Sequence, residues 1–90
     1  MAKAVVDPGE LRRFAQDLKK FSTDLQQQTG ALNARMATLA QTWRDQEQAK
    51  FSEEFEQQLG QFGRFVESTG EYVPYLIRKA ERIEEYQQQR

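Results

Sequence analysis

Apolar and polar residues alternate along this chain with the period of an α-helix almost from end to end. Leu11, Phe14, Leu18, Phe21, Leu25 and Leu32 recur at steps of three, four or seven, which gathers them on one stripe of a helix. Gln28 dilutes the stripe, and beyond Leu32 the apolar set drifts to Met36, Leu39 and Trp43, as a 3.6-residue helix drifts against a strict heptad. Asp7 is a good N-cap, Pro8 suits the first helical position and Glu10 stands where a capping-box acid belongs. The pattern predicts one helix over about 8–41.

A second stripe is more regular. Phe51 and Phe55 lead into Leu59, Phe62, Val66, Thr69, Val73, Leu76, Ala80 and Ile83, with steps alternating four and three from Phe55 onward. This near-heptad seam predicts a helix over about 46–86. Phe65, Tyr72, Ile77 and Tyr86 flank the seam and widen it beyond a two-stranded coiled coil. Pro74 lacks a backbone donor and presses on the carbonyl of Gly70, which predicts a kink over 70–74. Residues 86–90 are expected to fray. Between the two registers lies a corner over 42–46, where Asp45 is the favoured cap because Gln48 follows three residues on.

Two long helices and one corner make an all-α, antiparallel helix-turn-helix hairpin in a single domain over 1–90, each arm on the order of 50 Å long at about 1.5 Å per residue. A lone helix pair buries only one side of each stripe, so a dimer in the form of an antiparallel four-helix bundle is expected. The helix–helix interface is assigned to Leu11, Phe14, Leu18, Phe21, Leu25, Leu32 and Leu39 in the first helix, and to Phe55, Leu59, Phe62, Val66, Val73, Leu76 and Ile83 in the second. A homodimer is favoured over a pairing with a related hairpin, because the aromatic seam is broad and the charges are balanced.

Composition narrows the chemistry. The chain has no histidine and no cysteine, which removes the usual general base, the commonest metal ligand and any thiolate. The paired acids Glu53/Glu54 and Glu84/Glu85 are adjacent on a helix and point about 100° apart, so they do not converge on a reacting atom. No catalytic, cofactor or metal site is expected. Basic residues such as Arg12, Arg13, Lys19 and Lys20 are interleaved with acids in a chain of net charge −1, so nucleic acid is not an expected partner. Pairs within one helix, Arg78 and Arg82 with Glu81 and Glu85, are the expected use of the charges near the end. No run of about 18 apolar residues occurs, which argues against stable membrane insertion. The start carries no apolar run of signal-peptide length. The expected location is cytoplasmic, or secreted without a cleaved signal peptide.

One tryptophan stands near mid-chain, at the corner, as Trp43-Arg44-Asp45, with Ala49 and Phe51 following in the next helix. With a length of 90 residues and no cysteine, this arrangement resembles the WXG family, small helical hairpins similar to the early secreted antigen of mycobacteria and exported by type VII (ESX-like) secretion. The resemblance implies that Trp43 is the motif tryptophan, that Phe51 is the aromatic placed after it, and that the hairpin end contacts partners. It implies a substrate or assembly partner of such a secretion system. The alternative is a cytoplasmic helical adaptor or structural dimer, in which Trp43 merely plugs the end of the helix pair. Asp45 replaces the motif glycine, and none of Tyr72, Tyr75 or Tyr86 is followed four residues later by an acid, the export signal usual in the family.

Overall fold

The computed structural model describes residues 6–88; Met1, Gln89 and Arg90, with the other residues of the first five positions, lie outside the described residues. Two helices, α1 (Pro8–Leu39) and α2 (Gln46–Gln88), run antiparallel and pack along their length. The result is a rod of 69 × 22 × 15 Å.

The ends of the helices follow from local chemistry. Asp7 caps α1, its Oδ1 accepting from the Gly9 amide at 2.9 Å, while its carbonyl accepts from Glu10 and Leu11. Helix α1 stops at Leu39, two residues short of the predicted end, and neither glycine nor a positive φ is used to stop it. Instead the Leu39 carbonyl accepts from the amides of Thr42 and Trp43 at 3.1 and 2.9 Å and from the Thr42 hydroxyl at 3.3 Å, satisfying a carbonyl the helix would otherwise orphan. Asp45 then opens α2, its Oδ1 accepting from the Gln48 amide at 3.0 Å. Helix α2 continues through Pro74 without a break and includes Tyr86, Gln87 and Gln88. The predicted fraying therefore does not reach these three residues, and the rest of that segment is outside the described residues.

Burial shows which positions face inward. On α1 they include Leu11, Ala15, Leu18, Ser22, Leu25, Thr29 and Met36, a line that Trp43 continues into the corner. On α2 they include Ser52, Phe55, Leu59, Val66, Thr69, Val73, Leu76, Ala80 and Ile83. These steps of three, four and seven form a heptad seam, with positions a and d inward and e and g flanking. The only residues classed as buried among those described are small: Ala15 and Ala80 at 0% exposure, Ser22 and Thr69 at 7% and 3%. Small side chains let the backbones approach closely, and no large side chain among the described residues is fully buried.

Within the lone hairpin the assigned residues divide between the contact line and its flank. Phe14 and Phe21 keep 56% and 55% of their surface exposed, and Leu32, Leu39 and Phe62 remain exposed as well. Phe14 and Phe21 sit at g positions, one place before the buried Ala15 and Ser22. Phe14 and Phe21 thus flank the contact line that Leu11, Leu18 and Leu25 share with Ala15 and Ser22.

Candidate protein-binding surfaces

The heptad arrangement gives the hairpin two unlike flanks. Around the helix the order of positions is e, a, d, g, so each flank carries one kind of position from both helices. On the g flank Phe21 and Phe65 meet edge-on, ring centroids 6.0 Å apart at 82°. Phe14, Phe51 and Tyr72 occupy the other g positions that carry aromatics in this register. The neighbouring d positions contribute Leu25, Leu32, Leu39, Phe55 and Phe62. All of these except Leu25 and Phe55 are exposed. A lone hairpin therefore leaves many of its large apolar side chains wet along one flank, the kind of surface that marks a protein-contact site.

On the e flank the chemistry is polar. Arg12 donates to Glu84 through Nε at 3.2 Å and through Nη2 at 2.7 Å, a two-point ion pair between the helices. This hydrogen bonding holds the Glu84 carboxyl below its ordinary value and raises the Arg12 guanidinium. The pair forms between the helices, whereas pairs within α2 were expected. Among the described residues the other ion pair is Lys20–Asp24 within α1. Further along the rod from the ion pair, shallow grooves are walled in part by Gly30, Gly60, Gly63 and Gly70 with Gln26 and Asn33.

Between the flanks one polar pair is buried. Thr69 Oγ1 lies 2.8 Å from Ser22 Oγ and 2.7 Å from the Val66 carbonyl. Thr69 has one hydroxyl proton; donating it to the carbonyl leaves its lone pairs to accept the Ser22 proton. Both groups are thereby satisfied, and no buried side-chain polar atom among the described residues lacks a partner.

The third surface is the hairpin end. Trp43, half-buried, lies 5.8 Å from Phe51, which stacks on Phe55 at 5.6 Å and 15°. The corner positions this cluster: the Trp43 amide is tied to Leu39, and Asp45 sets the first turn of α2. Trp43 and Phe51 thus lie together at the hairpin end, and Asp45 opens the helix that carries Phe51. The adjoining Arg44 is held by Nε donation to the Gln41 carbonyl at 2.9 Å.

Among the described residues no group of three or more potential ligands converges on a metal position, and no helix is long and apolar enough to cross a membrane. Together these features define a small helical hairpin with exposed apolar and aromatic residues along one flank and at one end. Residues 4–88 match the family described as proteins of 100 residues with WXG, and the chain belongs to that family. Solved structures agree. A secreted protein EsxB from Bacillus anthracis, in selenomethionine form, is 26% identical with a TM-score of 0.78, covering 97% of this chain and 99% of that one. The wild-type form of that secreted protein is 28% identical with a TM-score of 0.75, covering 91% and 94%. A mutant of it with one proline replaced by alanine is 28% identical with a TM-score of 0.78, covering 91% and 92%. No curated protein matches the chain.

Proposed function

We propose that the chain is a non-catalytic, protein-binding hairpin that acts as a substrate or assembly partner of a type VII-like secretion system. The observation that carries this reading is the uncovered apolar surface: Phe14, Phe21, Phe62 and Tyr72 are all more than two-fifths exposed in the lone hairpin. Aromatic side chains at such positions are where protein–protein binding energy concentrates. The Trp43–Phe51–Phe55 cap adds a second apolar surface at the end of the rod. Family membership and the secreted Bacillus anthracis neighbours support the secretory part of the reading. In this reading the partner is a helical hairpin, either a second copy or a related chain.

A cytoplasmic adaptor or structural dimer is the second reading, favoured by one observation. Tyr72 is followed four residues later by Leu76 and Tyr75 by Lys79, so neither tyrosine carries an acid at that spacing. Fractionation of native cells and medium, with the secretion ATPase intact or deleted, separates the two. Appearance in the medium only with the ATPase intact is expected. Retention in the cells in both strains, beside an exported control, overturns the secretory reading.

A further inference from the structure

A proline in the interior of a helix removes one backbone donor and crowds the carbonyl four residues before it. In α2 the proline is Pro74 and the carbonyl belongs to Gly70, so the two poorest helix formers stand one turn apart. Nothing lies within 4 Å of where a Cβ on Gly70 would stand, and both residues line a shallow groove with Lys19, Thr23 and Val73. The weak turn therefore has open space beside it. On either side of it α2 is tied to α1. Just before, Phe65 meets Phe21 edge-on and the buried Thr69 hydroxyl is bonded to Ser22 at 2.8 Å. Well beyond, Glu84 accepts from Arg12 at 3.2 and 2.7 Å, the only ion pair between the helices among the described residues. Between the weak turn and that pair the inward positions are Leu76, Ala80 and Ile83, of which only Ala80 is buried.

We infer that α2 is jointed: residues 75–88 swing off α1 as one unit about Gly70–Pro74, and the Arg12–Glu84 pair is the clasp that holds them down. The Ser22–Thr69 bond fixes the near side of the joint, so opening stops there. Once detached, residues 75–88 fall below the length of roughly 15 residues at which a free helix holds together in water. Opening therefore releases their amides to solvent. The clasp is a light one, because its two side chains keep 40% and 37% of their surface exposed and pairs in that setting contribute little. An open joint bares Leu76 and Ile83, together with Leu11 and Leu18 on α1, all half-buried in the closed hairpin. Simple fraying is a different motion: it loosens a helix residue by residue from its terminus and recognises no boundary at Gly70.

Hydrogen exchange resolved to single residues by mass spectrometry, on the full chain at one fixed concentration, separates the two. After correction for intrinsic rates, the amides of residues 76–83 should share one opening constant, with a step to stronger protection at residues 64–69. Pro74→Ala restores the missing donor and should lower that constant on the order of a hundredfold, or to the level of residues 64–69 if that is reached first. Gly70→Ala should lower it about fivefold, and Glu84→Gln should raise it about two- to fivefold. Residues 50–60 should be unmoved by all three. Protection that declines smoothly towards residue 88, or residues 76–83 unmoved by Pro74→Ala, means fraying alone and overturns the joint. A Glu84→Gln effect confined to the residues beside position 84 overturns the clasp. These readings use purified protein, so they stand or fall independently of whether the chain is exported.

Discussion

Thr69→Val and Ser22→Ala, singly and together, test whether the buried hydroxyl pair holds the helices in register. Thr69→Val keeps the side-chain shape but leaves the Ser22 hydroxyl, 7% exposed, without its partner on α2. An unsatisfied buried hydroxyl costs about 1–3 kcal/mol. Ser22→Ala loses a hydrogen bond worth about 1 kcal/mol and recovers about 0.5 kcal/mol of helix propensity, so it lands near neutral. The double variant replaces both partners by apolar groups of similar shape, which is nearly neutral overall. The sum of the single costs should therefore exceed the double cost by about 1–2 kcal/mol, and propensity cancels from this coupling. Urea unfolding followed by helical circular dichroism, at one fixed protein concentration and with unchanged m-values, measures it. A coupling within about 0.4 kcal/mol of zero, the ordinary error of additivity, refutes the reasoning. It would mean that Ser22 turns to a carbonyl of its own helix whenever Thr69 is removed.

Ala15→Leu forces a large side chain into a fully buried site and should cost about 1–3 kcal/mol by overpacking, read as a lower urea midpoint. Gly63→Ala and Gly70→Ala place a Cβ where nothing lies within 4 Å. Each should therefore stabilise the helix by about 1 kcal/mol, and a loss in thermal unfolding would reveal a close partner on that flank. Glu84 has its carboxyl held low in the folded state by Arg12. Its contribution is thus full above the unfolded value of about 4.3 and is lost as pH falls through the lower folded value. Acid titration of Glu84→Gln should accordingly show a shallower loss of stability below about pH 4.3 than the parent.

Much of the fold was written in periodicity. The hairpin, the Asp7 cap and the Asp45 opening of α2 could be read from residue types at fixed offsets, because capping chemistry is local. The contact line was harder. Ala15 and Ser22 are the buried positions of α1, and a reading that searches for large apolar residues passes over both. The available signal was their place in the heptad, each one step after a phenylalanine and between two leucines. Thr69 and Ala80 on α2 belonged to the predicted seam but not to the interface as assigned. Pairing across the helices, as in Arg12–Glu84, depends on tertiary register and is invisible to spacing within one helix. The aromatic cap was legible as a set of residues, whereas the stacking of Phe51 on Phe55 follows from how the corner delivers α2.

A rod with no fully buried large side chain among its described residues has little to lose when it is pulled apart. Much of the greasy surface that an ordinary domain hides is already wet here, so opening the lone hairpin adds little new contact with water. The free-energy cost of exposure scales with that added area, and the denaturant response scales with it too. As a lone hairpin the chain therefore has little buried apolar area to hold its two arms together. In the secretory reading, a motor drawing the lone hairpin through a narrow opening needs little work per residue.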